Sequence, residues 1–155
     1  MKIVKATRDD LDTVRSVTQD TIREVYPKYY PQGAVRFFAE HHSDDRIISD
    51  IEEGNVFLLL TDDDIPAGTV TVSGNEINRL FVLPEYQGRG FGRALLDFAE
   101  EKIEAAYDTI AMDASLPAKK IYLKRGYKET GYNIIDTGYG DHLCYDRMER
   151  KAAHE

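Results

Sequence analysis

Three glycines within five residues form the stretch of this sequence best suited to chemistry. They lie in the segment Gln87–Arg93, between a strand-like apolar stretch and a helix-like stretch, and the full segment reads Gln87, Gly88, Arg89, Gly90, Phe91, Gly92 and Arg93. Glycines at the mouth of a helix leave backbone N–H groups uncovered, and the helix adds partial positive charge there. The two arginines add charged donors. The segment therefore predicts an anion site, most often one for a phosphate.

The common nucleotide-binding motifs do not fit this segment. A dinucleotide fingerprint needs a third glycine where Arg93 stands, and it belongs in a first βαβ unit rather than in the middle of the chain. A Walker A loop needs a glycine followed by Lys-Ser or Lys-Thr, which the sequence lacks. Both alternatives are therefore excluded.

The elements around the glycine segment follow from apolar periodicity and turn residues. Strands are predicted over 2–6, 55–61, 67–73, 76–83, 108–112, 127–135 and 142–148, and helices over 7–25, 33–42, 43–53, 91–106 and 114–125. Thr7 and Asp10 resemble a capping box at the first helix. Helix 91–106 is expected to turn its acids away from its apolar stripe, and Ala118, Ile121 and Tyr122 are the inward candidates of the last helix. This order predicts an α/β domain with a mixed, mostly antiparallel sheet of about seven strands flanked by helices.

A longer pattern then gives a resemblance. Gln87, Gly90 and Gly92 match Gln/Arg-x-x-Gly-x-Gly/Ala, the lead-in 80–84 reads Leu-Phe-Val-Leu-Pro, and Ala118, Tyr122, Gly126 and Tyr127 recur at the expected later spacing. In these features, and over nearly its whole length, the chain resembles the GNAT superfamily of acyl-CoA-dependent N-acetyltransferases. The resemblance implies a single GNAT domain over residues 1–155 with a splayed pair of central strands.

The resemblance also implies where acetyl-CoA, the co-substrate, would bind. Residues 87–93 would hold its pyrophosphate, and the backbone of Leu80, Phe81 and Val82 would hold its pantetheine arm. One N–H of that strand would face the thioester oxygen as an oxyanion donor. Ser115 stands where the family usually has Asn in contact with the arm; serine has a shorter reach, which leaves this contact open.

The acid and the base also come from the resemblance. Tyr122 matches the tyrosine that serves as general acid near the sulfur, with a buried structural aromatic as the alternative. Glu76 stands eleven residues before Gln87, which is the offset of the catalytic glutamate in the histone-acetylating branch. It is therefore the candidate base. An ordinary exposed glutamate, with ordered water as the base, remains the other interpretation.

The acceptor side is expected in the first helices and the loop between them. That region is rich in aromatic and histidine residues: Tyr26, Tyr29, Tyr30, Phe37, Phe38, His41 and His42. One interpretation is that they line a pocket for the acceptor, and the other is that they pack a short helix against the core. The resulting hypothesis is direct transfer of acetyl from acetyl-CoA to a primary amine of a small molecule or peptide in a ternary complex. A non-catalytic acyl-CoA sensor is the alternative.

Composition limits the partners. The 155 residues carry a formal net charge of −8, which argues against nucleic acid because that affinity depends on Lys and Arg. The longest apolar run, 56–60, is too short for a membrane span, and residues 1–5 do not read as a signal peptide, so a cytoplasmic location is expected.

The lone Cys144 fits a reducing compartment. Neither the triple aspartate 62–64 nor the adjacent His41 and His42 has metal-site spacing. The resemblance adds the expectation of a homodimer through the last strands.

Overall fold

The structure is a computed structural model that describes residues 1–153. Its strands are β1 (Lys2–Lys5), β2 (Val56–Leu60), β3 (Pro66–Ser73), β4 (Glu76–Val82), β5 (Thr109–Ala114), β6 (Lys128–Asp136) and β7 (His142–Lys151). Its helices are α1 (Leu11–Val25), α2 (Gln32–His41), α3 (Asp44–Glu52), α4 (Phe91–Glu104) and α5 (Leu116–Lys124). The predicted elements are thus confirmed, with bounds shifted by up to four residues. No helix in the described part of the chain is long and apolar enough to span a membrane.

One mixed sheet contains all seven strands in the order β1-β2-β3-β4-β5-β7-β6. Each neighbouring pair is antiparallel except β4 and β5. This parallel pair is joined only at its start, where Glu76 is opposite Ala111 and the Ala111 N–H donates to the Asn75 carbonyl at 3.0 Å. Beyond that point the strands separate. The predicted splayed central pair is confirmed, and it opens a slot through the middle of the sheet.

Helices cover both faces of this sheet, as strand β2 illustrates. Its alternate residues point in opposite directions, because successive side chains of a strand alternate between faces. Phe57 and Leu59 join the core beneath α4, and Val56 and Leu58 join the core beneath α1 and α3. A third apolar cluster contains Phe81 and residues of α1, α2 and β7. The slot between β4 and β5 therefore has α1 and α2 on one side and α4 and α5 on the other.

Two predictions about helix faces are wrong. Glu100 of α4 was expected at the surface with the other acids, but it is 5% exposed because Arg125, Arg150 and Tyr127 all bond its carboxylate. A buried charge is tolerated when it is paired and hydrogen-bonded, so the network explains the exception. Ile121 of α5 was expected to point inward, but it is 52% exposed.

Candidate functional site

A cavity of about 440 Å³ occupies the slot where β4 and β5 separate. Of the residues predicted to bind acetyl-CoA or to act in catalysis, Leu80, Phe81, Ser115 and Tyr122 line it, whereas Glu76, Val82 and residues 87–93 do not. The opposite wall comes from the aromatic region of α1 and α2, namely Tyr26, Phe37, Phe38, His41 and His42. Tyr29 and Tyr30 do not line it. The cavity therefore joins strand backbone on one side to helix side chains on the other.

A β-bulge shapes the β4 wall of this cavity. Thr69 pairs with Phe81 and Thr71 pairs with Asn78, so β4 carries one extra residue between these pairs. Arg79 lies in the bulge with φ of +47°, a left-handed conformation that is uncommon for a residue other than glycine. A bulge interrupts regular pairing and redirects the strand. It therefore leaves Arg79 and Leu80 outside the regular β3–β4 register, which resumes at Phe81.

The glycine segment presents a row of backbone donors. Tyr86 and Gln87 donate back to Leu83 and Pro84, and in the described chain the next backbone bond outside regular elements runs from Ala94 N–H to the Gly90 carbonyl at 3.0 Å. The N–H groups from 88 to 93 thus lie among the free donors that begin α4. Gly88 and Gly90 have φ of +78° and +85°, and nothing lies within 4 Å of where their Cβ atoms would be.

Side chains around that row leave it cationic. No salt bridge within residues 1–153 involves Arg89 or Arg93, and the Arg89 guanidinium lies 5.3 Å from the centre of the Tyr86 ring. Gln87 does not face the row. Its side-chain amide donates to the Val82 carbonyl at 2.9 Å and fixes the end of β4 to the loop. Open N–H groups with two unpaired guanidinium groups fit a pyrophosphate such as that of coenzyme A.

Tyr122 lies on the opposite side of the slot, on α5. Its side chain is 5% exposed and its ring meets Tyr127 edge-on, with centroids 5.7 Å apart. Burial, and then the nearby Tyr26 and Glu100, raise the pKa of the Tyr122 phenol well above its ordinary value. The phenol is protonated at neutral pH, as an unperturbed tyrosine also is, and burial keeps it so at higher pH.

The start of α5 is held by the aromatic loop after α1. The Leu116 N–H donates to the Tyr30 hydroxyl at 2.6 Å, and Ser115 occupies the N-cap position. Burial raises the pKa of both Tyr26 and Tyr30 to about 12. The Tyr30 hydroxyl thus anchors the start of α5, whereas Tyr26 lines the cavity.

Glu76 lies at the first residue of β4, beside the cavity lining rather than in it. Its carboxylate forms a salt bridge with Arg147 of β7, and Arg147 also donates to Asp113 of β5 at 3.2 Å. Asp113 lines the cavity, as do Ile77 and Asn78, the neighbours of Glu76. Two carboxylates thus share one guanidinium at the closed end of the slot.

The acceptor end of the cavity contains a network that the sequence did not reveal. The Arg79 side chain, 6% exposed, forms a salt bridge with Asp50 of α3. It also donates to Thr71 Oγ1 at 3.2 Å and, through Nε, to His42 Nδ1 at 3.1 Å. One arginine thus ties the bulge to α2, α3 and β3. The only sequence signal was a charged residue in the middle of a predicted strand, directly before Leu80, Phe81 and Val82.

Both histidines at the end of α2 are held neutral. Burial lowers the pKa of His42 to about 3, with Arg79, His41 and Arg46 acting in the same direction. Burial, Arg46 and Arg79 also lower the pKa of His41. His41 stacks on Phe37 with ring centroids 6.1 Å apart. Within residues 1–153 no group of three or more His, Cys, Asp or Glu side chains is placed to hold a metal ion.

Comparison with known proteins gives a family and a fold. Residues 25–149 match the acetyltransferase (GNAT) domain family. A peptidyl-lysine N-acetyltransferase of Salmonella typhimurium is 28% identical over 93 residues, which cover 59% of this chain. The match spans 63% of that relative's length, so nearly two fifths of the relative lies outside it.

Two solved structures share the fold at lower identity. A GCN5-related N-acetyltransferase of Rhodopseudomonas palustris has a TM-score of 0.86 at 22% identity, covering 97% of this chain and 94% of its own. The PaiA N-acetyltransferase of Thermoplasma acidophilum, solved in complex with coenzyme A, has a TM-score of 0.73 at 20% identity, covering 97% and 98%. Both structures therefore share the overall fold of this chain.

Proposed function

Because the chain belongs to the GNAT acetyltransferase family, we propose that it moves the acetyl group of acetyl-CoA directly to a primary amine. One observation carries the proposal: Leu80 and Phe81 of β4 line the slot together with the buried Tyr122, and the loop that follows β4 presents open backbone donors. Anion binding and proton donation are the two functions that thioester aminolysis needs from this side of the site. The coenzyme A bound to the Thermoplasma relative supports the same choice of co-substrate.

In this proposal Gly88 to Arg93 bind the pyrophosphate, and Leu80, Phe81 and Val82 align the pantetheine arm. The positive φ of Gly90 matters here, because a side chain at that position would be strained and would occupy the open space above the N–H row. Ser115 lines the slot at the N-cap of α5, where its hydroxyl can bond the arm. When bound, acetyl-CoA supplies an acetyl group activated as a thioester.

Tyr122 is the proposed acid. Its phenol lines the cavity and carries a proton at neutral pH, as any tyrosine does, so it can donate to a leaving thiolate. A backbone N–H of the β4 bulge region is the proposed donor to the thioester oxygen. Direct transfer in a ternary complex then needs no covalent acyl-enzyme.

Glu76 is the proposed base, acting on the amine directly or through water. Its salt bridge with Arg147 and its place beside the cavity lining favour the water-mediated route. A Glu76→Gln variant is expected to lower kcat and to change the acidic limb of the pH profile. A full rate with an unshifted profile would remove Glu76 from the mechanism.

A thiol-release assay tests the proposal as a whole. Acetyl-CoA is mixed with a panel of small amines, amino acids, polyamines and lysine peptides, and the free thiol and acetylated product are measured. We expect release with at least one acceptor class and little with Tyr122→Phe. Tight acetyl-CoA binding by calorimetry with no release across the panel would instead support a non-catalytic sensor.

The remaining parts of the proposal concern context. We propose a single domain over residues 1–155, acting in the cytoplasm without nucleic acid or membrane partners. A homodimer through the last strands is part of it, since the edge strand β6 exposes Tyr132 and Ile134, each 61% exposed. Analytical sedimentation of the native chain and of a Tyr132→Ser, Ile134→Ser double variant tests this. A native chain that sediments as a monomer, like the variant, would contradict the proposed homodimer.

A further inference from the structure

The acceptor end of the cavity is lined by hydrogen-bond donors with a defined orientation. Because His42 Nδ1 accepts the hydrogen bond from Arg79 Nε, the neutral ring carries its proton on Nε2. Within residues 1–153 no hydrogen bond involves this Nε2, although the ring lines the cavity. His42 therefore offers an N–H donor to a ligand and cannot serve as a base without breaking its bond to Arg79.

A second donor lies beside it. The Arg46 side chain lines the same cavity and takes part in no salt bridge within the described chain. It lies near enough to both His41 and His42 to disfavour their charged forms. Arg79 is neutralised by Asp50, so Arg46 is the free positive charge at this end. A second cation entering here would be repelled, and an anion would be attracted.

The opposite side of the cavity carries the complementary charge. Asp113 lines the slot just past the point where β4 and β5 separate, and it shares Arg147 with Glu76. Two carboxylates face one guanidinium there, which leaves negative charge toward the closed end. Phe37 and Phe38 contribute apolar surface to the same cavity. The cavity thus offers an anion-favouring guanidinium on α3 and a cation-favouring carboxylate on β5, close enough together that Asp113 also acts on His41.

We propose that the acceptor is an amine that also carries a carboxylate, such as an α-amino acid, with the carboxylate bound by His42 Nε2–H and Arg46. The ammonium group then points toward Asp113 and the slot, where the acetyl group arrives. Transfer forms the amide bond and breaks the thioester bond. The ammonium loses two protons: one is released to solvent through the base, and the other balances the proton that the leaving thiolate takes from Tyr122, which is then reprotonated. This inference rests on the proposed transferase function and names its substrate class.

Matched substrates test the carboxylate directly. The kcat/KM for L-phenylalanine is compared with that for 2-phenylethylamine, which lacks only the carboxylate, for L-phenylalaninamide, which replaces it with a neutral amide, and for the dication cadaverine. We expect L-phenylalanine to exceed 2-phenylethylamine by at least about tenfold, the amide to fall between them, and cadaverine to be poorest. Equal rates, or a preference for cadaverine, would overturn the inference.

A charge variant identifies the residue responsible. In Arg46→Gln the preference of L-phenylalanine over 2-phenylethylamine is expected to fall toward one, mainly through the KM of the amino acid. Arg23→Gln removes an exposed arginine of α1 outside this cavity and should leave the preference intact. An undiminished preference in Arg46→Gln would also overturn the assignment. Absence of thiol release with every amine would instead contradict the proposed transferase function itself.

Discussion

The donor side and the acceptor side of the site are built from different kinds of group. The donor side consists of backbone N–H groups on β4, which lines the cavity, and on the loop that follows β4 outside the cavity lining, and the glycines of that loop serve by exposing those groups. The acceptor end consists of side chains from α2, α3 and the bulge, tied together through Arg79. Backbone groups recognise what all acyl-CoA molecules share. Side chains on separate helices can change without disturbing that recognition, so the acceptor end is where specificity belongs.

The largest expected effect tests whether the acceptor end depends on its buried ion pair. In Asp50→Asn the nearly buried Arg79 loses its countercharge. Removing one partner of a buried pair costs about 3–5 kcal/mol, and we expect about 3 kcal/mol because 27% of the Asp50 side chain is exposed. Urea denaturation measures the loss. Asp44→Asn, which breaks an exposed pair on the same helix, should cost far less, and an equal loss would refute the role of the network.

The next effect concerns the chemistry between the two ends. Tyr122→Phe is expected to lower kcat by about 100-fold, equivalent to about 2.7 kcal/mol of barrier, because the proton donor is lost. Stability should hardly change, since the ring still packs against Tyr127. Steady-state kinetics with thermal melting checks both parts. Tyr107→Phe, at an exposed site, is the control, and comparable rates for the two variants would exclude Tyr122 as the acid.

A pH titration of stability separates the two ends further. The pKa of His42 is lowered to about 3 in the folded chain, from about 6.5 when unfolded. Between these values the unfolded chain binds a proton that the folded chain does not, so stability falls as pH decreases below 6.5. His42 alone should account for about 2 kcal/mol between pH 7.5 and pH 5.

The matching variants are His42→Gln and His142→Gln, measured by urea denaturation at both pH values. The first should reduce the pH dependence, because glutamine does not titrate. The second variant changes an exposed histidine of β7 and should leave the pH dependence of stability unchanged. Identical pH dependence in His42→Gln and the native chain would contradict the lowered pKa of His42.

The smallest effect is expected at the donor end. Gly90→Asp and Gly90→Asn introduce side chains of the same shape, and both residues tolerate the left-handed backbone better than most. The aspartate adds a negative charge beside the N–H row. Acetyl-CoA should therefore bind about tenfold more weakly to Gly90→Asp than to Gly90→Asn, a difference of about 1.4 kcal/mol. Equal dissociation constants from calorimetry would argue that the row does not hold the phosphates.

The same contrast explains what the sequence could predict. The donor end depends on neighbours along the chain, such as Gly88, Gly90 and the start of α4, so a short motif reveals it. Arg79 instead meets Thr71, Asp50 and His42 at separations of 8, 29 and 37 residues. Only the folded chain brings these together. The order of elements was predictable because apolar periodicity is local, and the left-handed bulge at Arg79 was not.

Glu100 and Ile121 show the limit of periodicity. An acid on α4 was expected to face water, but Arg125 and Arg150 reach it from α5's end and from β7. An apolar residue near Tyr122 was expected to be buried, but α5 is short and covers the slot with one edge, which leaves Ile121 outside. In both cases the partner, rather than the residue type, decides burial.

Initial-velocity kinetics tests the central claim most directly. Acetyl-CoA and the best amine acceptor are varied together, and the enzyme incubated with acetyl-CoA alone is weighed by intact-mass spectrometry. Direct transfer from a backbone-held donor to a side-chain-held acceptor predicts intersecting double-reciprocal lines and no acetylated enzyme. Parallel lines, together with a mass increase of one acetyl group that disappears on adding the amine, would contradict it.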